Sequence, residues 1–188
     1  MPTTQQLRNV LLTPEEAAAM DAPGRHDAAV LVPLFVAGGH LHAVFTKRRD
    51  DLSHHAGEIS FPGGRQDEPD EDLRATALRE AEEEIGLPRE AVELLGALPP
   101  TPTFVSDYRI HPFVGMIEAG QRWTLQPTEV ETVLELSIPD LIAGYEHKRV
   151  KEIPFKTATY TVSGSLVWGA TARILSTLLE RLAPLLGR

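Results

Sequence analysis

The stretch FPGGRQDEPDEDLRATALREAEEEIGL, residues 61–87, decides both the fold and the chemistry expected of this chain. A Pro-Gly-Gly turn is followed by apolar residues that recur at helical spacing from Leu73 to Ile85. Asp70, or a residue close to it, can cap the start of a helix, and Gly86 can end it. The stretch therefore predicts a tight turn that leads into a helix.

The second half of this helix carries a crowd of carboxylates, at Glu80, Glu82, Glu83 and Glu84. The C-terminal end of a helix favours cations, and neighbouring like charges repel. On a wheel of about 100° per residue counted from Leu73, Glu84 falls at about 20°, inside the apolar arc, and Glu80 at about 340°, at its edge. Glu82, at about 180°, lies away from both. A merely solvated face would not reach into the core in this way.

A divalent cation would relieve this repulsion, which otherwise raises the pKa of each carboxylate. Mg²⁺ and Mn²⁺ prefer oxygen ligands and keep waters and substrate phosphates in their shells. Such a metal lowers the pKa of bound water, and a free glutamate can accept its proton. Arg79 can orient a neighbouring glutamate, and Gly63 and Gly64 let backbone N–H groups approach ligand oxygens. We predict a metal site for phosphoryl chemistry.

Composition sets limits on the class of protein. The chain has 188 residues, of which 42% are hydrophobic and 24% charged, which suits one globular α/β domain. The lack of cysteine excludes disulfides, thiolate zinc sites and cysteine nucleophiles. A net charge of −9 argues against non-specific binding of nucleic acid. Neither a membrane span nor a signal peptide is evident, so no membrane partner and a cytoplasmic location are expected.

The rest of the chain predicts a mixed sheet with helices on both sides. Strand-like segments alternate with short helical ones, and two hairpins turn at Gly38-Gly39 and Ser163-Gly164. A helical segment is expected over residues 5–20, with Pro14 starting its second part. The segment ATARILSTLLERLAPLL, residues 170–186, predicts a closing amphipathic helix.

Residues 64–87 resemble the box of the Nudix hydrolase family, G-x5-E-x7-R-E-U-x-E-E-x-G-U, where U is bulky and apolar. The second half matches at Arg79-Glu80, Ala81, Glu83-Glu84, Gly86 and Leu87. Glu71 lies eight residues before Arg79, as the box requires. Gly64 is one residue too far upstream, which places a small insertion in the loop. The resemblance implies a single domain over residues 1–188, with an N-terminal extension of about residues 1–26.

The family resemblance also implies an α/β/α sandwich and hydrolysis of a nucleoside diphosphate linked to another moiety. It implies Mg²⁺ or Mn²⁺ bound mainly by Glu80, Glu83 and Glu84, with Arg79 orienting a ligand. Either Glu80 or Glu83 can serve as the base. Glu129 is a candidate for an additional carboxylate from a loop.

A second resemblance narrows the substrate. The segment FTKRRDDLSHHAGEISFPGG, residues 45–64, is similar to the segment that marks the coenzyme A pyrophosphatase branch of the family. Arg49 stands where that branch usually has serine, and Ser53 where it has a basic residue. The expected reaction is attack of water on the diphosphate of free, oxidised or acylated coenzyme A, releasing 3′,5′-ADP and 4′-phosphopantetheine. Lys47, Arg48 and Arg49 are candidates to hold the 3′-phosphate.

Other functions stay open from the sequence. The chain can be a Nudix hydrolase that acts on ADP-ribose, a dinucleotide or a nucleotide sugar. It can also be a non-catalytic module that binds metal or nucleotide, or it can carry a protein-interaction helix. His54 and His55 are candidate phosphate or metal contacts, and Phe104 and Tyr108 can stack on adenine or line a pantetheine path. A hydrolase triad built on Ser106 is disfavoured, because no nucleophile-elbow pattern surrounds it.

Overall fold

The computed structural model of the protein describes residues 1–68, 70–104, 106–150 and 155–187. The helices are α1 (Thr4–Val10), α2 (Pro14–Ala18), α3 (Leu73–Ile85), α4 (Ile138–Ala143) and α5 (Gly169–Leu182). The strands are β1 (His26–Ala37), β2 (His40–Arg48), β3 (Ile59–Ser60), β4 (Gly63–Arg65), β5 (Glu93–Ala97), β6 (Thr101–Pro102), β7 (Tyr108–Met116), β8 (Val130–Ser137), β9 (Tyr145–Arg149), β10 (Lys156–Val162) and β11 (Ser165–Val167).

Eight of these strands form the main sheet. Its central order is β3-β2-β1-β7-β5, with β8 on β2, β4 on β1 and β6 on β7. Strands β1 and β7 run parallel, and the other pairs are antiparallel, so the sheet is mixed as predicted. Strands β9, β10 and β11 form a separate antiparallel sheet.

Helices cover both faces of the main sheet, which confirms the predicted layering. Successive side chains of a strand point to opposite faces, and β1 uses both. Its Leu31 and Phe35 pack in the cluster that contains the apolar residues of α3. Its Val32 and Leu34 pack in the cluster that contains α5 and α4. The burial of alternate residues on two faces explains why β1 reads as a nearly continuous apolar run.

Most predicted turns and helix boundaries are confirmed. Gly38 and Gly39 both have positive φ between β1 and β2, at 56° and 76°, as their hairpin requires. The N-terminal helical segment divides into α1 and α2, because Thr13 caps a new helix that begins at Pro14. The hairpin of β10 and β11 is confirmed, although residues 152–154 of the predicted segment lie outside the described residues.

Strand β9 was not predicted from the sequence. Its residues, YEHKR, are mostly exposed and show no alternation of apolar and polar side chains. It is an edge strand held mainly by its ladder with β10, so the usual periodic signal is missing. Within the described residues, none of the helices is long and apolar enough to span a membrane.

Candidate active site

Helix α3 carries the candidate site and is fixed at both ends. Asp72, rather than Asp70, is the N-cap, and its carboxylate accepts the N–H of Ala75 at 2.8 Å. Gly86 ends the helix in the left-handed conformation, with φ of 69°. Of the apolar residues predicted to face the core, Ala77, Ala81 and Ile85 are fully buried against the sheet, and Leu73 and Leu78 are partly buried.

This packing brings Glu84 into the protein interior. Only 7% of the residue is exposed, which confirms its predicted place inside the apolar arc. Burial raises the pKa of Glu84 to about 8, and the charges of Glu80 and Glu129 act in the same direction. Arg48 acts in the opposite direction, by attraction. The structure therefore brings Glu129, although it lies on an exposed loop, close enough to Glu84 to influence its ionisation.

Glu80 lies at the edge of the same interior. Burial raises its pKa, and the guanidinium of Arg79 opposes that shift. Arg79 Nη1 donates to Glu80 Oε1 at 3.0 Å and to Glu83 Oε2 at 3.3 Å. The Glu83 side chain is 57% exposed, whereas Glu82 points away and pairs with Arg89. Thus Arg79 links two of the predicted metal ligands.

Arg79 makes its strongest contact with Asp70, a residue to which the sequence assigned only a possible cap. Nε and Nη2 of Arg79 donate to the two carboxylate oxygens of Asp70, each at 2.9 Å. The Asp70 side chain is only 4% exposed and also accepts hydrogen bonds from Thr76 Oγ1 and the N–H of Asp67. This bidentate pair holds the pKa of Asp70 well below its usual range.

The pair changes how the box aligns with the structure. Glu71, the residue at the box spacing from Arg79, is exposed. Asp70 follows Gly64 at the spacing that the box requires between its first glycine and its first acidic residue. The extra residue therefore lies between Asp70 and the helix, not between Gly64 and the acidic residue. The G-x5-acid spacing in the sequence was the signal that could have identified Asp70.

The two glycines of β4 have different neighbours. A Cβ atom added at Gly64 would lie 2.4 Å from Glu80 Oε1, so the Glu80 carboxylate rests directly on this glycine. A Cβ atom at Gly63 would lie 2.3 Å from the carbonyl oxygen of Ala29 on β1. Gly64 thus makes room for the Glu80 side chain, and Gly63 makes room for the sheet while its backbone forms a hydrogen bond with Glu84.

The carboxylates of the site suit a divalent metal in chemistry but not yet in position. In the described part of the chain, no three His, Asp or Glu side chains already converge as a metal-binding group. Even so, Glu80, Glu84 and Glu129 place an excess of oxygen anions in and around a largely buried region, where the charged form of Glu84 is disfavoured. A hard divalent cation fits this chemistry, and ligation requires the carboxylates to move from their present contacts.

The basic residues Lys47, Arg48 and Arg49 do not converge on one place in the structure. Lys47 Nζ pairs with Glu131 at 2.7 Å and with Asp50 at 3.5 Å. Arg49 pairs with Asp51 and donates to the carbonyl of Pro127. Only Arg48 is directed toward α3, where its charge lowers the pKa of Glu84. Arg49 lies beyond the end of β2, and the register of β2 with β8 shifts between Lys47 and Arg48, so the three side chains do not follow one regular strand.

A cavity of about 470 Å³ adjoins this site at Gly64. Arg48, Arg65 and Arg173 line it, together with Phe104, Tyr108 and the first turn of α5. His55 also lines it and pairs with Glu58 at 2.9 Å, while His54 is exposed. The sequence did not identify Arg173, because a helical wheel shows which face of α5 is apolar but not what stands opposite an individual side chain.

The disfavoured hydrolase triad has no support in the structure. Ser106 Oγ donates to Thr103 Oγ1 at 2.9 Å. His111 Nε2 lies 2.9 Å from an oxygen of Asp27, and Asp107 pairs with Arg25 instead. The serine, histidine and aspartate are each engaged with other partners.

The mixed sheet between helices, with a carboxylate-rich helix after a glycine turn, defines a Nudix-type fold. A model of the family described as NUDIX domain matches residues 24–155, and the chain belongs to this family. It is a Nudix hydrolase, of the class that acts on nucleoside diphosphate-linked substrates.

One curated relative resembles the chain in sequence, and two solved structures resemble it in fold. The "Uncharacterized Nudix hydrolase NudL" of Pectobacterium atrosepticum is 36% identical over 156 residues, which is 80% of each chain. The C. elegans Ap4A hydrolase in a binary complex has a TM-score of 0.57 at 16% identity, over 87% of this chain and 98% of that one. The NUDIX domain of Shewanella oneidensis NrtR, complexed with ADP ribose, has a TM-score of 0.56 at 18% identity, over 99% of both chains.

Proposed function

We propose that this Nudix hydrolase cleaves the diphosphate of coenzyme A, or of a coenzyme A derivative, to 3′,5′-ADP and 4′-phosphopantetheine. The main support for this proposal is that the carboxylates of α3 lie next to an arginine-lined cavity at Gly64. Carboxylates that hold a metal suit the cleaved diphosphate, and arginines suit a further phosphate on the same substrate. The resemblance of residues 45–64 to the coenzyme A branch supports this choice of substrate.

The proposal gives each acidic residue a role. Glu80, Glu83 and Glu84 hold Mg²⁺ or Mn²⁺, and Glu129 is a candidate for an additional carboxylate. When bound, the metal polarises a phosphoryl oxygen and lowers the pKa of water. Glu80 or Glu83 accepts the proton of the attacking water. Arg79, held by Asp70, keeps the Glu80 carboxylate at Gly64.

The basic residues receive unequal roles. Arg48 stands beside Glu84 and lines the cavity, so it is suited to neutralise phosphate oxygens near the metal. Lys47 and Arg49 are already paired with carboxylates, and we assign them a lesser part in substrate binding than Arg48. The backbone of Gly63 and Gly64 shapes the site between the metal ligands and the cavity.

A substrate panel tests the proposal. Coenzyme A, 3′-dephospho-coenzyme A, ADP-ribose, a diadenosine polyphosphate and a nucleotide sugar are incubated with the protein and Mg²⁺ or Mn²⁺, and products are identified by mass. We expect coenzyme A to give the highest kcat/KM, with loss of turnover on chelation and recovery on adding metal. Preferred turnover of 3′-dephospho-coenzyme A would contradict the proposal, as would cleavage outside the diphosphate.

A second candidate is hydrolysis of ADP-ribose or another adenosine diphosphate derivative. It is favoured by Phe104 and Tyr108, because aromatic rings on the cavity wall can stack with adenine whatever the other half of the substrate is. Higher kcat/KM for ADP-ribose than for coenzyme A would establish it. Metal or nucleotide binding without any product would instead establish a non-catalytic module. A cytoplasmic site of action belongs to the proposal and is tested by cell fractionation.

A further inference from the structure

Three arginines converge on one cavity in a chain whose net charge is −9. Arg48, Arg65 and Arg173 line the same space of about 470 Å³. Among the described residues, none of the three is paired with a carboxylate, whereas Arg79 and Arg109 are. Glu58 also lines the cavity but pairs with His55, and Glu84 attracts Arg48 without a salt bridge, so positive charge exceeds negative charge on the wall, which indicates an anionic ligand.

Arg173 is the most constrained of the three. It belongs to α5, its Nη2 donates to the carbonyl of Pro102, and its guanidinium carbon lies 4.1 Å from the ring centroid of Phe104. Its Nε is buried and has no acceptor among the described residues. Burial also lowers the pKa of Arg173. A buried cationic donor without an acceptor costs free energy unless a ligand supplies one.

The surroundings of Arg173 add aromatic surface and further donors. Phe104 is 55% exposed although it lines the cavity, and Tyr108 lies under Arg65 at 5.0 Å from the ring centroid. The first turn of α5 also opens there, and its N-cap residue, Trp168, provides no side-chain hydrogen bond to it. Stacking surface beside guanidinium groups is the combination with which proteins hold a nucleotide base and its phosphate.

The shape and chemistry of the cavity select among ligands. An apolar ligand would leave the three guanidinium groups without an anion, and an inorganic anion would leave the aromatic side chains of the cavity wall without a contact. A cavity of this volume suits one nucleotide-sized group. Arg48 stands at the end near Glu84, which leaves Arg173 for a charge farther along the same ligand.

We propose that Arg173, together with Phe104 and Tyr108, forms a subsite for an adenosine group that carries a phosphomonoester in addition to the cleaved diphosphate. Arg173 binds the phosphomonoester, and the aromatic side chains stack against the base. The inference rests on the proposed function, because it names the residues by which that site would distinguish a 3′-phosphorylated adenosine from an unphosphorylated one.

Equilibrium binding of two product-like nucleotides tests the subsite without turnover. The affinities of 3′,5′-ADP and 5′-AMP are measured by titration calorimetry on the full chain with Mg²⁺ present. We expect 3′,5′-ADP to bind at least about tenfold more tightly, as a charge-assisted contact to one extra phosphate allows. Equal affinity of the wild-type protein for the two nucleotides would overturn the inference by itself.

Variants then locate the discrimination. Arg173→Met should reduce the preference to about threefold or less, with little change for 5′-AMP, and Arg173→Lys should retain part of it. The matched control is Arg181→Met on the same helix, since Arg181 donates to the carbonyl of Val10 and does not line the cavity. A preference retained in Arg173→Met would overturn the role of Arg173. Because the result is a ratio within one preparation, a partly unfolded variant lowers both affinities together.

The binding test of the subsite can fail or succeed independently of the test of the proposed reaction. Coenzyme A turnover is measured in parallel on the same preparations. Selective binding of 3′,5′-ADP without coenzyme A hydrolysis would refute the proposed reaction and leave the subsite standing. Coenzyme A hydrolysis without selective binding would refute the subsite alone.

Discussion

At the scale of single residues, the bidentate pair of Asp70 and Arg79 organises the site. It ties the loop after β4 to the middle of α3, and Arg79 then holds Glu80 and Glu83. The Asp70 side chain is almost fully buried, so its removal leaves a guanidinium with part of its contacts unmet. Loop and helix are therefore coupled through the Asp70 carboxylate, with a longer contact between Asp67 and Arg79 at 3.5 Å.

Asp70→Asn should lower the free energy of unfolding by about 2–4 kcal/mol at pH 7 and reduce turnover, because Arg79 loses its main partner. The matched control is Glu71→Gln, which should change stability by less than about 0.5 kcal/mol, since Glu71 is exposed. Urea unfolding and kcat measure the two effects. A larger loss in Glu71→Gln than in Asp70→Asn would reverse the alignment of the box.

The same pair predicts a dependence of stability on pH. Arg79 holds the pKa of Asp70 below that of the unfolded chain, so its contribution is present above about pH 4 and is lost as the pH falls. The free energy of unfolding of the wild-type protein should therefore decline more steeply than that of Asp70→Asn between about pH 5 and pH 2. Parallel slopes for the two proteins would show that the ion pair contributes nothing.

Glu84 presents the opposite situation, because a buried carboxylate near two other carboxylates destabilises the protein unless a cation is bound. In a chelator at pH 8, Glu84→Gln should raise the free energy of unfolding by on the order of 1–3 kcal/mol, because it removes a buried charge near Glu80 and Glu129. With Mn²⁺ present, the wild-type protein should gain stability and the variant should gain much less. Turnover of the variant should fall by about a hundredfold or more.

Thermal unfolding with and without Mn²⁺, together with kcat, measures these effects. Glu82→Gln is the matched control on the same helix, because Glu82 is exposed and pairs with Arg89. It should behave as the wild-type protein in all three measurements. Equal Mn²⁺ stabilisation of Glu84→Gln and the wild-type protein would exclude Glu84 as a ligand.

At the scale of elements, adjacent glycines of β4 serve different structures. Gly64→Ala should leave stability nearly unchanged and lower kcat, because the new Cβ meets only the flexible end of Glu80 and displaces its carboxylate. Gly63→Ala should cost about 1–3 kcal/mol of stability, because its Cβ meets the backbone of β1. Melting temperature and kcat separate the two cases. A loss of stability in Gly64→Ala without loss of kcat would contradict this division.

Strand β2 makes a similar division between neighbouring basic residues. Arg48→Met should raise KM by about tenfold, because it removes the cation that lines the cavity beside Glu84. Lys47→Met should change KM by about twofold or less, because Lys47 is engaged with Glu131. Steady-state kinetics with coenzyme A and Mg²⁺ compare the two. A larger increase in KM for Lys47→Met than for Arg48→Met would show that Lys47, rather than Arg48, contacts the phosphate.

The sequence predicted what local periodicity encodes. The span of α3, the burial of Glu84 and the hairpin at Gly38-Gly39 follow from apolar spacing and from glycine conformations, and the structure confirms them. It missed β9, which has no apolar alternation. It also missed the pairing of Asp70 with Arg79, because Glu71 has the box spacing from Arg79 whereas Asp70 has the box spacing from Gly64, and only the structure shows which of the two acids reaches the guanidinium.

Arg173 illustrates a different limit. Its helix, α5, was predicted from the spacing of its leucines, and that spacing says which face is buried. What stands opposite a partly buried polar residue depends on the path of the loop between β6 and β7 that carries Phe104. Such a meeting of distant segments leaves no periodic signal in either one.

At the scale of the whole molecule, the two halves of the proposed site come from opposite faces of one sheet. The carboxylates stand on α3, which packs in one apolar cluster, and Arg173 stands on α5, which packs in the other. Alternate residues of β1 contribute to both clusters. Loss of either cluster therefore removes support from β1, and the domain is expected to unfold as one unit.

The two tryptophans of the chain lie on these two sides and can report on them separately. Trp123 packs against the cluster that contains α3, and Trp168 caps α5 at the cavity. In Trp123→Phe and in Trp168→Phe, the urea midpoint from the remaining tryptophan's fluorescence should agree with that from circular dichroism within about 0.2 M, because unfolding is cooperative. Comparison within each variant removes any effect of the substitution on stability. If the fluorescence midpoint precedes the dichroism midpoint in only one variant, the side of the sheet that carries the remaining tryptophan unfolds first. The single-domain prediction for residues 1–188 would then be wrong.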